Sequence, residues 1–433
     1  MLHRRIERHR HLLTGSAVLV VGAGVQAVFG AVFWLLAARS DTSADVGDAT
    51  ALFTSVLFVT YVAGLGLPVA LARYAPDHSD DSSSVTGWSL AATAISAGIG
   101  SLLYLSVVRT DATEALRDWH AVVGPLFFAV LTVGAAWSLL VDVRWMTVRR
   151  WELVLARFSA TGLARLPLLA LPVDSHRVVF LFAVAMGPTA VSGVLGAISL
   201  GRLTGTPARL RPRPTTARAA ARYSLVNWLS TLAHQGPQFA LPVIVLANVT
   251  SEQNASFYIA WGVTAIGMYV PLAIGQALLA EGGKDNANLR SQVRIALLLA
   301  VGLMAVGTVI TAVGRDLLVT VYGQDYTDGA RILPWLVDAT IPWAITSVYL
   351  TEARVQHRST ATVAITATLT LGTLLPALLL VPDDGLDGAR NALLIGNIAA
   401  AVVATGAHRV GSHPGARWRQ RHLTGVTVGE VGA

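Results

Sequence analysis

Two arginines lie inside one long apolar run, residues 152–172, where charged side chains are uncommon. Arg157 and Arg165 are eight residues apart, which on a helix places them about 80° apart around the axis and about 12 Å apart along it. An ionisable side chain at bilayer depth costs at least ~2.5–3.5 kcal/mol and usually faces a cavity or a partner. Guanidinium groups bind phosphate through two parallel hydrogen bonds. The pair therefore predicts an anion site. The alternatives are that Arg157 extends to the cytoplasmic edge of the membrane, and that Arg165 also does so or forms a structural ion pair.

Amide side chains form a second set of candidate binding residues. Asn227, Gln235 and Gln238 are spaced by eight and three residues, so on a helix they share one face. Gln26 and Gln276 lie in two further apolar runs. Such a face can bind sugar hydroxyls in a wet cavity or can form hydrogen bonds between helices, and the residue pattern leaves both open.

One acidic residue is a candidate for coupling to an ion. Asp338 lies about two turns into the apolar run 331–351, which ends near Glu352. A carboxylate at this depth can carry a proton or bind sodium. It can equally pair with an arginine or stay near the outer rim beside Arg331. Trp34 and Trp137 lie near the ends of apolar runs and are predicted to belong to the interfacial aromatic belts.

The composition excludes an ordinary soluble protein. Hydrophobic residues make up 54% of the 433 residues and charged residues only 13%, against roughly 25% charged residues in soluble domains. There is no cysteine, which excludes disulfides, thiolate metal sites and a cysteine nucleophile. No Walker A sequence and no zinc-protease sequence occurs. We therefore expect no enzyme, no cofactor and no metal site.

Twelve apolar runs long enough to cross a bilayer account for most of the chain. We expect helices, because a spanning segment must satisfy its own backbone polar groups and outer-membrane strands would alternate in short segments. The predicted fold class is thus an all-α polytopic membrane protein. The runs cover residues 15–38, 49–72, 86–108, 120–141, 152–172, 178–200, 223–247, 257–280, 294–313, 331–351, 360–381 and 391–410.

Basic residues are distributed unevenly between the loops. With the N-terminus in the cytoplasm, 23 of the 32 lysines and arginines fall on the cytoplasmic side, seven fall outside and two lie within the fifth run. This bias follows the positive-inside rule and predicts a multi-pass protein of the inner (plasma) membrane with both termini in the cytoplasm. The basic charge is spread over seven segments instead of one patch, which excludes a nucleic-acid partner.

The long basic connection at residues 201–222 divides the chain into two halves of six runs. The predicted organisation is a basic cytoplasmic leader (1–14), a first six-helix bundle (15–200), the cytoplasmic linker (201–222), a second six-helix bundle (223–410) and a disordered cytoplasmic tail (411–433). The leader precedes a run of 24 apolar residues, which is longer than the core of a cleaved signal peptide. The first run is therefore predicted to stay in the membrane.

Several short motifs resemble the polysaccharide-transporter (Wzx-type) branch of the multidrug/oligosaccharidyl-lipid/polysaccharide (MOP) exporter superfamily. In that branch an arginine ends the first span, as Arg39 does, and a glycine precedes the second, as Gly47 does. The motifs, in order, are 34–39 (WLLAAR), 65–74 (LGLPVALARY), 271–280 (PLAIGQALLA), 314–326 (GRDLLVTVYGQDY) and 330–333 (ARIL). The resemblance covers about residues 12–410. One departure is Asn254-Ala-Ser before the eighth run, where the family often has glycine followed by tyrosine.

The resemblance implies two six-helix bundles around a central cavity and alternating access between the two sides of the membrane. It also implies transport of a lipid-linked saccharide, a polyprenyl-phosphate intermediate of cell-surface polysaccharide synthesis, from the inner to the outer leaflet. The positive cavity of the family carries over as Arg73, Arg157 and Arg165. The partners would be the lipid-linked glycan, membrane lipids and other polysaccharide-assembly proteins. The alternatives are a drug/cation antiporter of the same superfamily and a membrane-embedded glycosyltransferase or polymerase.

Overall fold

The computed structural model describes residues 21–22, 24–74, 80–173, 175–205, 214–282, 289–356 and 358–412. Every regular element within these ranges is a helix, which confirms the all-α prediction. Seven of the described helices are long and apolar enough to cross a membrane. The leader (1–14), most of the tail and the central part of the linker lie outside the described residues.

The helices alternate between long membrane-length elements and short connecting ones. They are α1 (Gly24–Ser40), α2 (Ser43–Ala63), α3 (Leu67–Tyr74), α4 (Asp80–Val107), α5 (Asp111–Trp119), α6 (Val123–Thr147), α7 (Trp151–Leu169), α8 (Arg177–Thr204), α9 (Pro214–Leu246), α10 (Ser251–Gly282), α11 (Leu289–Val313), α12 (Arg315–Tyr322), a 3₁₀ turn (Gln324–Tyr326), α13 (Thr327–Asp338), α14 (Thr340–Val355) and α15 (Ser359–Ser412).

The described part of each of the twelve predicted spans lies mostly in one of these helices or in two consecutive ones. The tenth span is the consecutive pair α13 and α14. The last two spans are the two parts of α15, which is broken at Gly385 by a non-helical backbone (φ 55°, ψ −124°). A Cβ placed on Gly372 would lie 3.3 Å from Cα of Gly396, so the two parts fold back on each other as antiparallel helices.

The second predicted span, 49–72, differs from the structure at both ends. Helix α2 begins at Ser43, where the Thr42 side chain accepts a hydrogen bond from the amide of Asp45, a capping arrangement that stabilises helix starts. The chain then turns at Leu65 and Gly66, whose φ angles are 49° and 67°. Because left-handed backbone interrupts a helix, the residues from Leu67 onward form the separate helix α3.

The chain divides into two compact units. The first comprises residues 1–259 with 316–331, and the second comprises 260–315 with 332–433. These units are defined by contacts between residues, and each contains two separate stretches of the chain instead of six consecutive spans. The predicted division into two bundles at residues 201–222 therefore stays a prediction.

Small residues bring α6 and α8 together in the core of the first unit. A Cβ on Gly134 would lie 2.7 Å from the carbonyl oxygen of Ala190, and a Cβ on Gly193 would lie 2.0 Å from the carbonyl oxygen of Gly134. Glycines allow backbones to approach this closely, which is how helices associate when lipid supplies no hydrophobic driving force. Rising numbers on α6 match rising numbers on α8, so the two helices are parallel, as two even-numbered crossings must be.

This contact predicts a difference between two glycines of the same helix. We expect Gly193→Ala to reduce the free energy of unfolding by about 1–3 kcal/mol, because an inserted methyl group overpacks the contact with α6. Gly187 has no neighbour within 4 Å of an added Cβ, so Gly187→Ala should leave stability unchanged or raise it by up to about 1 kcal/mol through helix propensity. Thermal unfolding of the full chain in detergent checks both variants. Equal midpoints for the two would contradict the close packing.

A buried amide side chain joins α15 to the α13–α14 break in the second unit. Asn397 is 1% exposed and donates its Nδ2 hydrogen to the carbonyl oxygen of Ala339 over 2.8 Å. Ala339 is the residue between the end of α13 and the start of α14. A carbonyl at a helix break needs a partner when water is absent, and Asn397 supplies it.

Large apolar side chains remain exposed along many helices, most densely on α11. They include Leu298 (65% exposed) and Ile310 (64% exposed). Soluble proteins rarely present a continuous apolar surface of this extent. These faces match a hydrocarbon surrounding, in keeping with a multi-pass membrane protein.

Candidate functional site

The candidate site in the first unit is built on α7, which carries both arginines of the fifth span. Glycines just before α1 and on α7 allow the two segments to approach closely. A Cβ on Gly22, two residues before α1 begins, would lie 2.7 Å from the ring of Phe158, and a Cβ on Gly162 would lie 2.9 Å from Phe29. The order of these contacts makes α1 and α7 parallel, as expected for the first and fifth crossings.

Arg157 is held by a carboxylate of α6. Its Nε donates to Oδ1 of Asp142 over 2.7 Å, and its Nη2 donates to Oδ2 of the same residue. Both side chains are buried, 5% and 7% exposed, and Nη1 lies 3.5 Å from the hydroxyl of Ser192 on α8. The Arg157 side chain is thus turned toward α6 and α8 and buried between the helices. Since Asp142 occupies the guanidinium fork, Arg157 joins α6, α7 and α8 and does not present an open anion site.

Arg165 has a different environment although it lies on the same helix. The residue is 5% exposed, and its Nη2 donates to the hydroxyl of Thr189 on α8 over 3.3 Å. Nη1 lies 3.8 Å from the position that a Cβ on Gly30 would occupy, and Nε is buried without a hydrogen-bond partner. Within the described part of the chain, no carboxylate forms an ion pair with Arg165. A buried cation with unsatisfied donor capacity favours an anionic ligand.

Three aromatic rings form a cluster in the same unit. The ring centroids of Trp34 and Tyr258 are 5.3 Å apart, and Phe53 lies 6.0 Å from Trp34 and 6.1 Å from Tyr258. Tyr258 is within electrostatic range of Arg165. Trp34 is 5% exposed, so its assignment to an interfacial belt is wrong.

Trp137 also differs from the sequence-based prediction. It is partly buried and packs at the edge of a core cluster of the first unit. Its indole Nε1 donates to the carbonyl oxygen of Leu90 on α4 over 2.9 Å. Both tryptophans therefore form contacts between helices. A sequence position near the end of an apolar run does not distinguish this role from a place in an interfacial belt.

The predicted amide residues lie in different environments. Gln26 is half-buried and lies one turn before Gly30, on the face of α1 that approaches Arg165. Gln235 and Gln238 are half-buried on α9, and neither side chain forms a hydrogen bond with another residue that the structure describes. The side chains of Asn227 and Gln276 lie outside the described residues.

Arg73 stands apart from the α7 arginines. It is exposed at the end of α3, and its guanidinium lies 4.5 Å from the ring centroid of Tyr223 on α9. A hydrogen bond with the Tyr223 hydroxyl raises the pKa of Arg73 above its ordinary value. No contact with Arg157 or Arg165 is seen among the described residues, so these three arginines do not form one cluster here.

Asp338, the candidate coupling residue, is half-buried at the end of α13. Among the described ion pairs it has none, and Arg331, the neighbour considered from the sequence, lies 3.7 Å from Asp328 instead. The coupling role of Asp338 stays a prediction.

Sequence reasoning missed the residues that distinguish the two α7 arginines. Asp142 directly follows the fourth apolar run, 120–141, and α6 extends past it to Thr147, so this carboxylate lies inside the helix although it is beyond the predicted span. Thr189 and Ser192 are ordinary residues of the sixth run. A search for charges just beyond span ends would have found Asp142, but no sequence signal marks the two hydroxyls.

No protein-family model matches the chain, and no curated protein matches its sequence. Solved structures do match. An inward-facing multidrug resistance transporter of the MATE family of the MOP superfamily is 16% identical, with a TM-score of 0.71 over 92% of this chain and 96% of its own. Lipid II flippase MurJ in an inward closed conformation is 10% identical, with a TM-score of 0.68 over 93% of this chain and 89% of its own.

A MOP-superfamily transporter from Pyrococcus furiosus, described with a reversed polarity of its binding pocket, is 16% identical. Its TM-score is 0.59 over 92% of this chain and 93% of its own. At such low identities the likeness establishes the fold. Together with the apolar helices, it shows that this chain is a multi-pass membrane protein with the all-helical fold of the MOP-superfamily transporters.

Proposed function

We propose that the protein is a membrane transporter that flips a lipid-linked saccharide, a polyprenyl-phosphate-linked glycan intermediate, from the inner to the outer leaflet. The proposal depends most on Arg165, a buried guanidinium that has no carboxylate partner among the described residues. A diphosphate or phosphate linkage supplies the negative charge that this group lacks. The fold, which is also that of a lipid II flippase, is compatible with such a substrate.

The residues of the first unit would have distinct roles in binding. Arg165 would bind the phosphate with Nη1 and Nε, while Thr189 holds Nη2. Gln26, on the neighbouring face of α1, would donate to a sugar hydroxyl. Arg157 would position α7 through Asp142 and would not touch the substrate. No covalent bond is made or broken, so the activity is transport and not catalysis by an enzyme.

The transport cycle we propose is alternating access by rocking of two halves, with the lipid tail remaining in the bilayer. A drug/cation antiporter is the competing function, since multidrug resistance transporters share the fold. Arg165 argues against it, because a buried positive charge without a counterion repels an organic cation.

The proposal is tested with the full chain reconstituted in liposomes. Three fluorescent probes are compared: a polyprenyl-diphosphate saccharide, a neutral glycolipid bearing the same sugar, and an organic cation. We expect protein-dependent flipping of the diphosphate probe and little movement of the other two. Flipping of the neutral glycolipid at the same rate would remove the role of the phosphate, and uptake of only the cation would establish the antiporter.

The proposed direction of transport requires the orientation that the basic loops predict. Because the chain contains no cysteine, a single introduced thiol reports the side of the membrane on which it lies. Ser359 at the start of α15 and Asp384 beside the break at Gly385 are both exposed. We expect an impermeant maleimide added to intact cells to label Asp384→Cys and to leave Ser359→Cys unlabelled until the cells are opened. The reverse pattern would place the termini outside.

A further inference from the structure

A cavity of about 370 Å³ opens at one end of the second unit. It lies where the start of α11, the end of α14 and the end of α15 meet. The residues that line it are Arg290, Val293, Arg294, Leu297, Tyr349 and His408. All belong to the second unit, so the cavity is independent of the Arg165 site and the inference does not rest on the proposed function.

The polar side of this cavity is strongly basic. Arg290 and Arg294 are one turn apart on α11 and exposed, so their guanidinium groups lie on the same face. Arg358 adds a third positive charge at the same end of the unit, where its Nη1 donates to the carbonyl oxygen of Ala407 over 2.8 Å. Such a concentration of positive charge beside a concave surface attracts a phosphate group.

Contacts with Glu352 and Tyr349 hold His408 at the cavity wall. Its Nδ1 lies 2.6 Å from Oε2 of Glu352, and because a carboxylate accepts, the imidazole donates this hydrogen bond. Its ring stacks on Tyr349 with 4.5 Å between centroids. Glu352 is 4% exposed and is not among the residues that line the cavity. Among the described residues that line the cavity none is acidic, so His408 presents a polar ring beside the two arginines.

The other side of the cavity is apolar and continues toward the lipid-facing surface. Val293 and Leu297 are one turn apart on α11 and line the wall. Beyond them, α11 exposes Leu298, Leu299 and Leu303. A ligand that fits this surface combines a phosphate at the basic end with hydrocarbon along the helix.

We propose that this cavity binds the phosphate group of an anionic phospholipid, with its acyl chains on the apolar face of α11. Basic pockets between helices on the cytoplasmic side of a membrane are suited to anionic headgroups, and the loop charges predict that this end is cytoplasmic. The lipid would link α11 to the ends of α14 and α15 and stabilise the second unit. A soluble phosphate compound offers the same polar chemistry but no use for the apolar wall.

The test uses the purified full chain in a neutral detergent. Thermal unfolding is measured with dihexanoyl phosphatidylglycerol, with dihexanoyl phosphatidylcholine and with inorganic phosphate at matched concentrations. We expect the phosphatidylglycerol probe alone to raise the unfolding midpoint, by linkage of binding to the folded state. The double variant Arg290→Gln/Arg294→Gln should weaken its apparent affinity by about tenfold or more, and Arg290→Lys/Arg294→Lys should keep most of it.

A matched control is available in Arg218 and Arg222, another exposed pair one turn apart, at the start of α9. Arg218→Gln/Arg222→Gln should leave the response to phosphatidylglycerol unchanged. An equal loss of the response to phosphatidylglycerol in this control would mean that general surface charge causes the response. That result would contradict the proposed binding site. A midpoint shift with inorganic phosphate that depends on Arg290 and Arg294 would overturn the assignment to a lipid. The midpoints without ligand show that each variant is folded.

Discussion

Replacing Arg165 with alanine is expected to reduce flipping of the polyprenyl-diphosphate saccharide by roughly 30-fold or more. Losing one partner of a buried, hydrogen-bonded charge pair costs about 2–5 kcal/mol, and 2 kcal/mol corresponds to about 30-fold. The reduction should exceed any effect on the neutral glycolipid, because that probe has no phosphate for the guanidinium to bind. The measurement is the initial rate of probe loss from the outer face of proteoliposomes at low probe concentration.

Two variants separate phosphate binding from a structural role of Arg165. Arg165→Lys keeps the charge but loses the planar fork, so it should retain part of the activity. Arg150 directly precedes α7 and forms an exposed ion pair with Glu152. The control variant Arg150→Ala should therefore leave the flipping rate unchanged. If Arg165→Ala flips the diphosphate probe as fast as the parent, Arg165 has no part in substrate binding.

The largest effect on stability is expected at the buried ion pair of α6 and α7. We expect Asp142→Ala to lower the free energy of unfolding by about 3–5 kcal/mol, because it leaves Arg157 buried without its counterion. Unfolding in detergent by heat or denaturant measures the change. Glu152→Ala, which breaks an exposed pair, should change stability by less than about 1 kcal/mol.

The double variant Asp142→Leu/Arg157→Met distinguishes the charge from the packing. Replacing both members of a buried pair by apolar residues of similar size is often neutral or stabilising, so this variant should recover most of the stability lost in Asp142→Ala. Because we assign Arg157 a positioning role, the double variant should also keep substantial flipping activity. A double variant as unstable as Asp142→Ala would mean that the two side chains contribute mainly by shape.

The sequence by itself determined the helical architecture of this protein. Apolar runs of bilayer length can satisfy their backbone only as helices, and the described part of each of the twelve runs lies mostly in a helix or a pair of consecutive helices. Even the helical hairpin around Gly385 was placed, because the acidic and glycine-containing segment after residue 381 interrupts the apolar pattern. These features depend on local composition and length, which a sequence shows directly.

Tertiary structure decided what the charged and aromatic side chains do. Helical periodicity put Arg157 and Arg165 on one broad face, yet the carboxylate of Asp142 pairs with the first and the hydroxyl of Thr189 accepts a hydrogen bond from the second. Trp34 is buried among rings although its sequence position suits an interface. Helical periodicity fixes the direction in which each side chain points from the helix axis. Which helix faces that side chain, and at what distance, depends on the packing of residues that are far apart in the chain.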